Sequence, residues 1–126
     1  MSVLVDSSVW IDYFRSGRHA EHLEALIEEN QIATNELILA ELVPALQIKR
    51  QNGLITLLRE IERAPLEPDW DDIIRLQVLC LRHGINAMGI PDLLIVQNAL
   101  QNDLRLMARD RHFVLLSRHV GLKLEL

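Results

Sequence analysis

Four acidic residues of this 126-residue chain stand in apolar stretches or directly after them. They are Asp6, Glu41, Asp92 and Asp110. The first and the last follow the mostly apolar runs 3–5 and 104–108, the second lies inside the apolar segment 37–43, and the third follows Ile-Pro. Two carboxylates about 6 Å apart repel each other by roughly 3 kcal/mol at an effective dielectric constant near 20. Convergence of all four therefore requires either protonation of some of them or a cation between them.

The four acids offer only oxygen ligands, and such sets select hard ions, Mg²⁺ or Mn²⁺. Ions of this kind, held by acids and completed by water, promote in-line attack of water on a phosphodiester. We predict catalytic and metal-binding roles for all four acids. Ser7 and Ser8 are predicted to support them, by orienting a carboxylate or by contacting a phosphate oxygen. Arg109 and Arg111 flank Asp110 and are candidates for phosphate contacts, because arginine suits bidentate recognition of phosphate.

Each acid also has an ordinary structural interpretation when it is taken alone. These are a helix cap for Asp6, a salt bridge for Glu41, a helix N-terminus for Asp92 and a turn for Asp110. The functional interpretation rests on the set, and on the apolar helix around Glu41, which predicts a buried carboxylate. For the other residues that could do chemistry, the structural interpretation is preferred. Asp12 is expected to face solvent, Cys80 to face the core, and His19 and His22 to be exposed rather than to bind a metal.

The elements that must position these acids alternate between strands and helices. Apolar runs at 3–5, 31–34 and 104–108 predict strands, and 64–66 and 122–124 predict shorter ones. Helices are predicted at about 8–14, 20–29, 36–50, 54–63, 70–83, 92–102 and 112–119. This order favours an α/β fold with a mostly parallel sheet of four to five strands covered on both faces. Acids that follow parallel strands then meet at the carboxyl edge of the sheet, where ligands bind.

Composition limits the class of protein. A hydrophobic fraction of 49% in 126 residues predicts a single domain, 1–126, with a proper core. The net charge of −5 argues against a general nucleic-acid binder, although a pocket of acids itself contributes to that charge. Cys80 is the only cysteine, so no intramolecular disulfide can form, as expected in the cytoplasm. Neither a signal peptide nor a membrane span of roughly 20 apolar residues is expected.

Four short motifs, taken in order, resemble those of PIN-domain ribonucleases of the VapC type, the toxins of VapBC toxin–antitoxin pairs. The motifs are Val-Leu-Val-Asp-Ser-Ser-Val-Trp-Ile-Asp at 3–12, Leu-Ala-Glu-Leu at 39–42, Ile-Pro-Asp-Leu-Leu-Ile at 90–95, and Asp-Arg-His-Phe at 110–113 followed by Gly-Leu-Lys-Leu at 121–124. Each motif is short. All four in order make a more specific signal, and the resemblance extends over essentially the whole chain.

The resemblance implies a Rossmann-like α/β/α PIN fold and a Mg²⁺- or Mn²⁺-dependent endoribonuclease that acts as a toxin. It maps the acidic ligands onto the same four acids. Arg109 and Arg111, the candidates for phosphate contacts, would then contact RNA. It also implies a homodimer and a cognate VapB-type antitoxin that blocks the site, often with an inserted arginine. One position departs from the family: Ala108 stands where a threonine or serine is frequent. Asp110 is therefore expected to act through water or to position a second metal.

Two alternative functions remain open. A receiver-type phosphoacceptor domain also gathers acids at strand ends, but it needs a lysine on a late strand. Residues 104–108 contain none, and Lys123 comes too late; formation of an acyl phosphate with a small phosphodonor would identify this class. A non-catalytic PIN module would bind only RNA or protein. The four intact acids argue against it, and an absence of Mn²⁺ binding would favour it.

Overall fold

The computed structural model describes residues 2–125. In chain order its elements are β1 (Val3–Val5), α1 (Ser7–Ser16), α2 (Ala20–Glu28), β2 (Ile32–Ala33), α3 (Glu36–Ile48), α4 (Asn52–Glu60), α5 (Trp70–Arg82), α6 (Ile90–Gln101), β3 (Arg105–Met107) and α7 (Arg111–Ser117). Helices separate the three strands along the chain, as predicted. None of these helices is long and apolar enough to cross a membrane.

β1 lies at the centre of a parallel sheet with the strand order β2-β1-β3. Its Leu4 pairs with Ala33 on one side and with Leu106 on the other. All three residues of β1 are fully buried, as expected for an apolar, β-branched strand covered by helices on both faces. The acid that follows β1 is therefore presented from the middle of the sheet.

The prediction of four to five strands is wrong, because the described residues form a sheet of three. The outer segments each form one isolated bridge, Thr34 with Arg63 and Leu106 with Leu124. Pro65 has no N–H and cannot extend the first bridge. β3 directs the backbone groups of Arg105 and Met107 towards β1, so only Leu106 remains to pair with the C-terminal segment.

A buried amide pair ties together the two helices that carry Glu41 and Asp92. Asn35 caps α3, since its Oδ1 accepts the N–H of Ile38 at 2.8 Å, and its Nδ2 donates to Oδ1 of Asn98 on α6 at 2.9 Å. Asn98 Nδ2 donates in turn to the carbonyl of Pro65 at 2.9 Å. Both asparagines are at most 1% exposed, so the relative positions of α3 and α6 depend on this network.

Replacing Asn35 by alanine should lower the free energy of unfolding by roughly 2 kcal/mol, because the substitution removes a cap and leaves the buried Oδ1 of Asn98 without its hydrogen-bond donor. Urea denaturation measures the change. Asn86→Ala, at an exposed loop position, is the matched control and should stay within about 0.5 kcal/mol of the wild type. An equally small effect of Asn35→Ala would contradict the role given to the network.

Candidate active site

Asp6 stands where β1 ends and α1 begins. Its N–H donates to the carbonyl of Met107 at 2.9 Å, which ties it to the end of β3. Its side chain is the N-cap of α1: Oδ2 accepts the backbone N–H of Ser8 at 3.2 Å and the hydroxyl of Ser8 at 2.5 Å. The residue is only 6% exposed. Both of these hydrogen bonds go to Oδ2, so capping does not require the second carboxylate oxygen.

Glu41 is exposed, which corrects the prediction of a buried carboxylate. Its helix, α3, is apolar nearly all round, but Leu42 and Val43 face the core while Ala40 and Pro44 face solvent with Glu41. The hydroxyl of Ser7 donates to Oε1 of Glu41 at 3.3 Å. The pKa of Glu41 is nevertheless raised, first because neighbouring atoms displace part of its water and then because the charges of Asp6 and Asp92 repel it.

Asp92 occupies the first turn of α6, which begins at Ile90, two residues before the predicted start. Gly89 is the N-cap, and its N–H donates to Oδ2 of Asp92 at 3.2 Å. Desolvation is the largest cause that raises the pKa of Asp92, and the charges of Asp6 and Asp110 raise it further, against the opposing effects of the Gly89 N–H and His112.

Asp110 is the N-cap of α7. Its Oδ1 accepts the backbone N–H of His112 at 2.9 Å and lies 2.5 Å from Nδ1 of the same residue. The backbone N–H of His112 is the main cause that lowers the pKa of Asp110, and the imidazole and Arg111 act in the same direction. Sequence analysis missed His112 as a partner of this acid. The spacing Asp-X-His at the start of a helix is the signal that identifies it.

The structure brings the four acids into one electrostatic neighbourhood at the carboxyl ends of β1 and β3. Glu41 is affected by Asp6 and Asp92, and Asp92 is affected by Asp6 and Asp110. Within residues 2–125, however, no three acidic, histidine or cysteine side chains lie close enough together to hold a metal ion by themselves. The donors still fit Mg²⁺ in kind, since this ion commonly uses one or two carboxylates and keeps several waters.

Comparison with known proteins identifies the family of this fold. The PIN domain family matches residues 3–118, which is most of the chain. The chain belongs to the PIN domain family. The comparison with curated protein sequences found no match.

Several solved structures are similar to this PIN domain, and VapBC complexes are among them. VapBC2 from Rickettsia felis, bound to a promoter DNA fragment, gives a TM-score of 0.77 at 21% identity over 99% of this chain and 98% of that chain. DNA-bound VapBC from Salmonella typhimurium gives a TM-score of 0.76 at 14% identity, over 99% of this chain and 97% of that chain. FitAcB from Neisseria gonorrhoeae gives a TM-score of 0.71 at 21% identity, over 97% of this chain and 95% of that chain. At these identities the similarity shows the fold, and it agrees with the resemblance found in the sequence.

Two expectations for individual side chains of this PIN domain are wrong. Asp12 does not face solvent: it is 9% exposed, and its Oδ1 lies 3.1 Å from Nη1 of Arg109. His22 is half-buried rather than exposed, with Nε2 2.6 Å from Oε2 of Glu125. His19, the residue paired with it in the sequence, lies 3.9 Å from Asp12 instead. The partners of Asp12 and His22 are therefore distant in the sequence, and the neighbour of His19 lies on another helix.

Arg109 and Arg111, the candidates for contacts with RNA, are both exposed. The Arg109 guanidinium is engaged with Asp12 but remains 59% exposed, and Arg111 is exposed at the start of α7.

Replacing Glu41 by glutamine should raise the melting temperature of the metal-free protein at neutral pH. The pKa of Glu41 is raised in the folded state, so its contribution to stability is present at acidic pH and is lost as the pH rises from the ordinary glutamate value of 4.5 through the raised value. Glutamine does not ionise, so the variant keeps its stability as the pH rises to neutral. Thermal melts in chelator from pH 4 to 8 measure it, with exposed Glu28→Gln as the control. A lower melting temperature for Glu41→Gln at neutral pH would mean that the carboxylate is structurally paired.

Proposed function

We propose that this PIN domain is a Mg²⁺- or Mn²⁺-dependent endoribonuclease that acts as the toxin of a VapBC-type toxin–antitoxin pair. The observation that carries the proposal is the convergence of four carboxylates at one edge of the sheet, where two of them have raised pKa values. Membership of the PIN domain family and the similarity to VapBC structures support the same function.

Asp6 and Asp92 are the proposed principal ligands of the metal, because each is held by backbone hydrogen bonds and both repel the other acids. A bound divalent ion would lower the pKa of a water molecule and neutralise charge on the phosphate. Glu41, whose pKa is raised, is suited to accept a proton from the attacking water. Ser7 holds Oε1 of Glu41, so Oε2 is the oxygen assigned to that proton.

Asp110 is proposed to act through water or at a second ion. Its carboxylate is exposed and already accepts two hydrogen bonds from His112 at Oδ1. No hydroxyl is available at position 108, which is alanine. The alternative is a non-catalytic PIN module, which the lack of a three-residue cage among the described residues favours. Mn²⁺ titration calorimetry separates this module from the enzyme.

An apolar groove is the proposed binding surface for the antitoxin. It measures about 290 Å³ and lies between α1, α2 and α4. Its lining includes Trp10, Tyr13, Phe14, Ile27, Leu54 and Leu57. α1 contributes all three aromatic residues named here, and it begins beside the acids, at Ser7. Since the helix is only about 15 Å long, an antitoxin segment in this groove can also reach the carboxylates, where a basic side chain would pair with them.

The outer face of α5 is the proposed homodimer surface. Four large apolar residues spaced at 0, 4, 8 and 11 lie along this helix, which places them on one face. They are Trp70, Ile74, Val78 and Leu81, and they are 59%, 62%, 39% and 60% exposed. The opposite face packs into the core through Ile73, Leu76 and Cys80, as expected for Cys80. An exposed apolar stripe of this kind marks an interaction surface.

Asp6→Asn and Asp92→Asn should each reduce Mn²⁺-dependent RNA cleavage by a factor on the order of 100 or more, because each removes a charge that holds the ion. Sequencing of RNA ends after induction identifies a substrate, and cleavage of that substrate is then measured with purified protein. Asp71→Asn, an exposed aspartate in the first turn of α5, should cleave like the wild type. Full cleavage by both site variants would refute the assignment of the acids.

Leu57→Asp and Ile74→Asp form a matched pair, since each replaces an apolar residue that is 62% exposed. Leu57→Asp should weaken binding to the cognate antitoxin by tenfold or more, on the order of the loss of a buried apolar contact, and remain dimeric. Ile74→Asp should become monomeric at micromolar concentration and keep antitoxin binding per chain. Titration calorimetry and light scattering measure the two properties. The reverse pattern would show that the groove forms the homodimer and that the outer face of α5 binds the antitoxin.

A further inference from the structure

An ion pair joins α1 to the turn that carries Asp110, and the proposed mechanism does not use it. Asp12 lies on α1, and its side chain is 12% exposed. Its Oδ1 lies 3.1 Å from Nη1 of Arg109. Arg109 directly precedes Asp110, in the turn between β3 and α7. The ion pair therefore connects the middle of α1 to this turn across 97 residues of sequence.

The backbone of the same turn makes a second connection to α1. The N–H of Arg109 donates to Oγ of Ser8 at 3.4 Å, and the Ser8 hydroxyl donates to Oδ2 of Asp6. A hydrogen bond of 3.4 Å is longer than the usual range of about 2.7–3.2 Å. The ion pair with Asp12 is therefore expected to contribute much of the restraint on the turn.

The carboxylate of Asp12 is mostly buried and therefore needs the guanidinium of Arg109 as a partner. Among residues 2–125, Oδ2 of Asp12 has no hydrogen-bond partner, and His19 Nε2 is 3.9 Å away. A mostly buried carboxylate is costly unless a cation or hydrogen-bond donors compensate for the lost water. The guanidinium of Arg109 supplies this compensation and is drawn towards α1. The arginine that lowers the pKa of Asp110 is Arg111, on the other side.

We propose that Asp12 and Arg109 form a positioning pair that fixes Asp110 relative to Asp6. The pair acts through the turn and through Ser8, without contacting the reacting atoms. The inference rests on the proposed function, because the separation of the two acids matters for activity only if both serve one site. It also gives Asp12, which sequence analysis placed in solvent, a role in the same constellation.

The kinetic test compares Asp12→Asn, Arg109→Gln, the double variant and Arg109→Lys. Each single substitution should lower kcat by a factor on the order of 10 to 100, as small displacements of catalytic groups do, and change KM less than about threefold. The double variant should be no worse than the poorer single variant, since both break one interaction. Arg109→Lys should recover part of kcat, because it keeps the charge. Arg82→Gln, an exposed arginine on α5, should match the wild type.

A second readout needs neither metal nor RNA. Amide hydrogen exchange of residues 108–112 in the metal-free protein should be faster by tenfold or more in Asp12→Asn and in Arg109→Gln, under conditions where exchange of β1 is unchanged. This comparison separates local release of the turn from global unfolding. Thermal melts confirm that each variant is folded before its kinetics are measured.

Three outcomes would overturn the proposal. A rise in KM alone for Arg109→Gln, with no effect of Asp12→Asn, would make Arg109 an RNA contact. Equal acceleration of exchange in β1 and in the turn would make the pair a general stabilising contact. Unchanged exchange of the turn in both variants would show that the pair does not restrain it. Absence of RNA cleavage by the wild type is distinguishable from all three: it would refute the proposed function, and the exchange experiment would still decide whether the pair positions the turn.

Discussion

Carboxylates at one edge of the sheet repel each other, and the surrounding structure has to stabilise their negative charges. Three of the four acids lie at helix N-termini: Asp6 and Asp110 are the N-caps of α1 and α7, and Asp92 lies in the first turn of α6. Each accepts a backbone N–H there, and a helix N-terminus favours negative charge. Helix capping and a role in the site are therefore not alternatives. The caps are what allow the negative charges to lie together in the folded protein.

Glu41 is the exception, because it lies within a helix and, among residues 2–125, accepts a hydrogen bond only from the hydroxyl of Ser7. It has no helix N-terminus to offset its charge, and its pKa is raised by lost water and by its neighbours. Asp110 has the opposite environment, with a backbone donor, an imidazole and a lowered pKa. Opposed environments of this kind assign different proton affinities to chemically similar groups, which is the usual basis for dividing acid and base roles within one site.

The parts of the fold that sequence analysis predicted depend on short-range chemistry. The helices predicted to begin at 36 and 70 do begin there, because Asn35 and Asp69 each cap an N–H only three positions further along the chain. What it could not predict depends on distant partners. Asp12 is buried because Arg109 lies opposite, and His22 is half-buried because Glu125, 103 residues away, reaches it. The exposure of Glu41 was missed because periodicity does not show which faces of an apolar helix are covered. The positions of the four acids required the order of motifs across the whole chain.

Ser8 shows how hydrogen-bond capacity narrows a role that the sequence left open. A hydroxyl has one proton to donate, and Ser8 donates it to Oδ2 of Asp6 while its oxygen accepts the N–H of Arg109. Orientation of a carboxylate and donation to a phosphate therefore exclude each other at Ser8, and the structure favours orientation. Because position 108 is alanine, the turn before Asp110 has no hydroxyl there. Ser8 supplies one from α1, so in this chain the connection between the first and fourth acids depends on α1 and not on the turn alone.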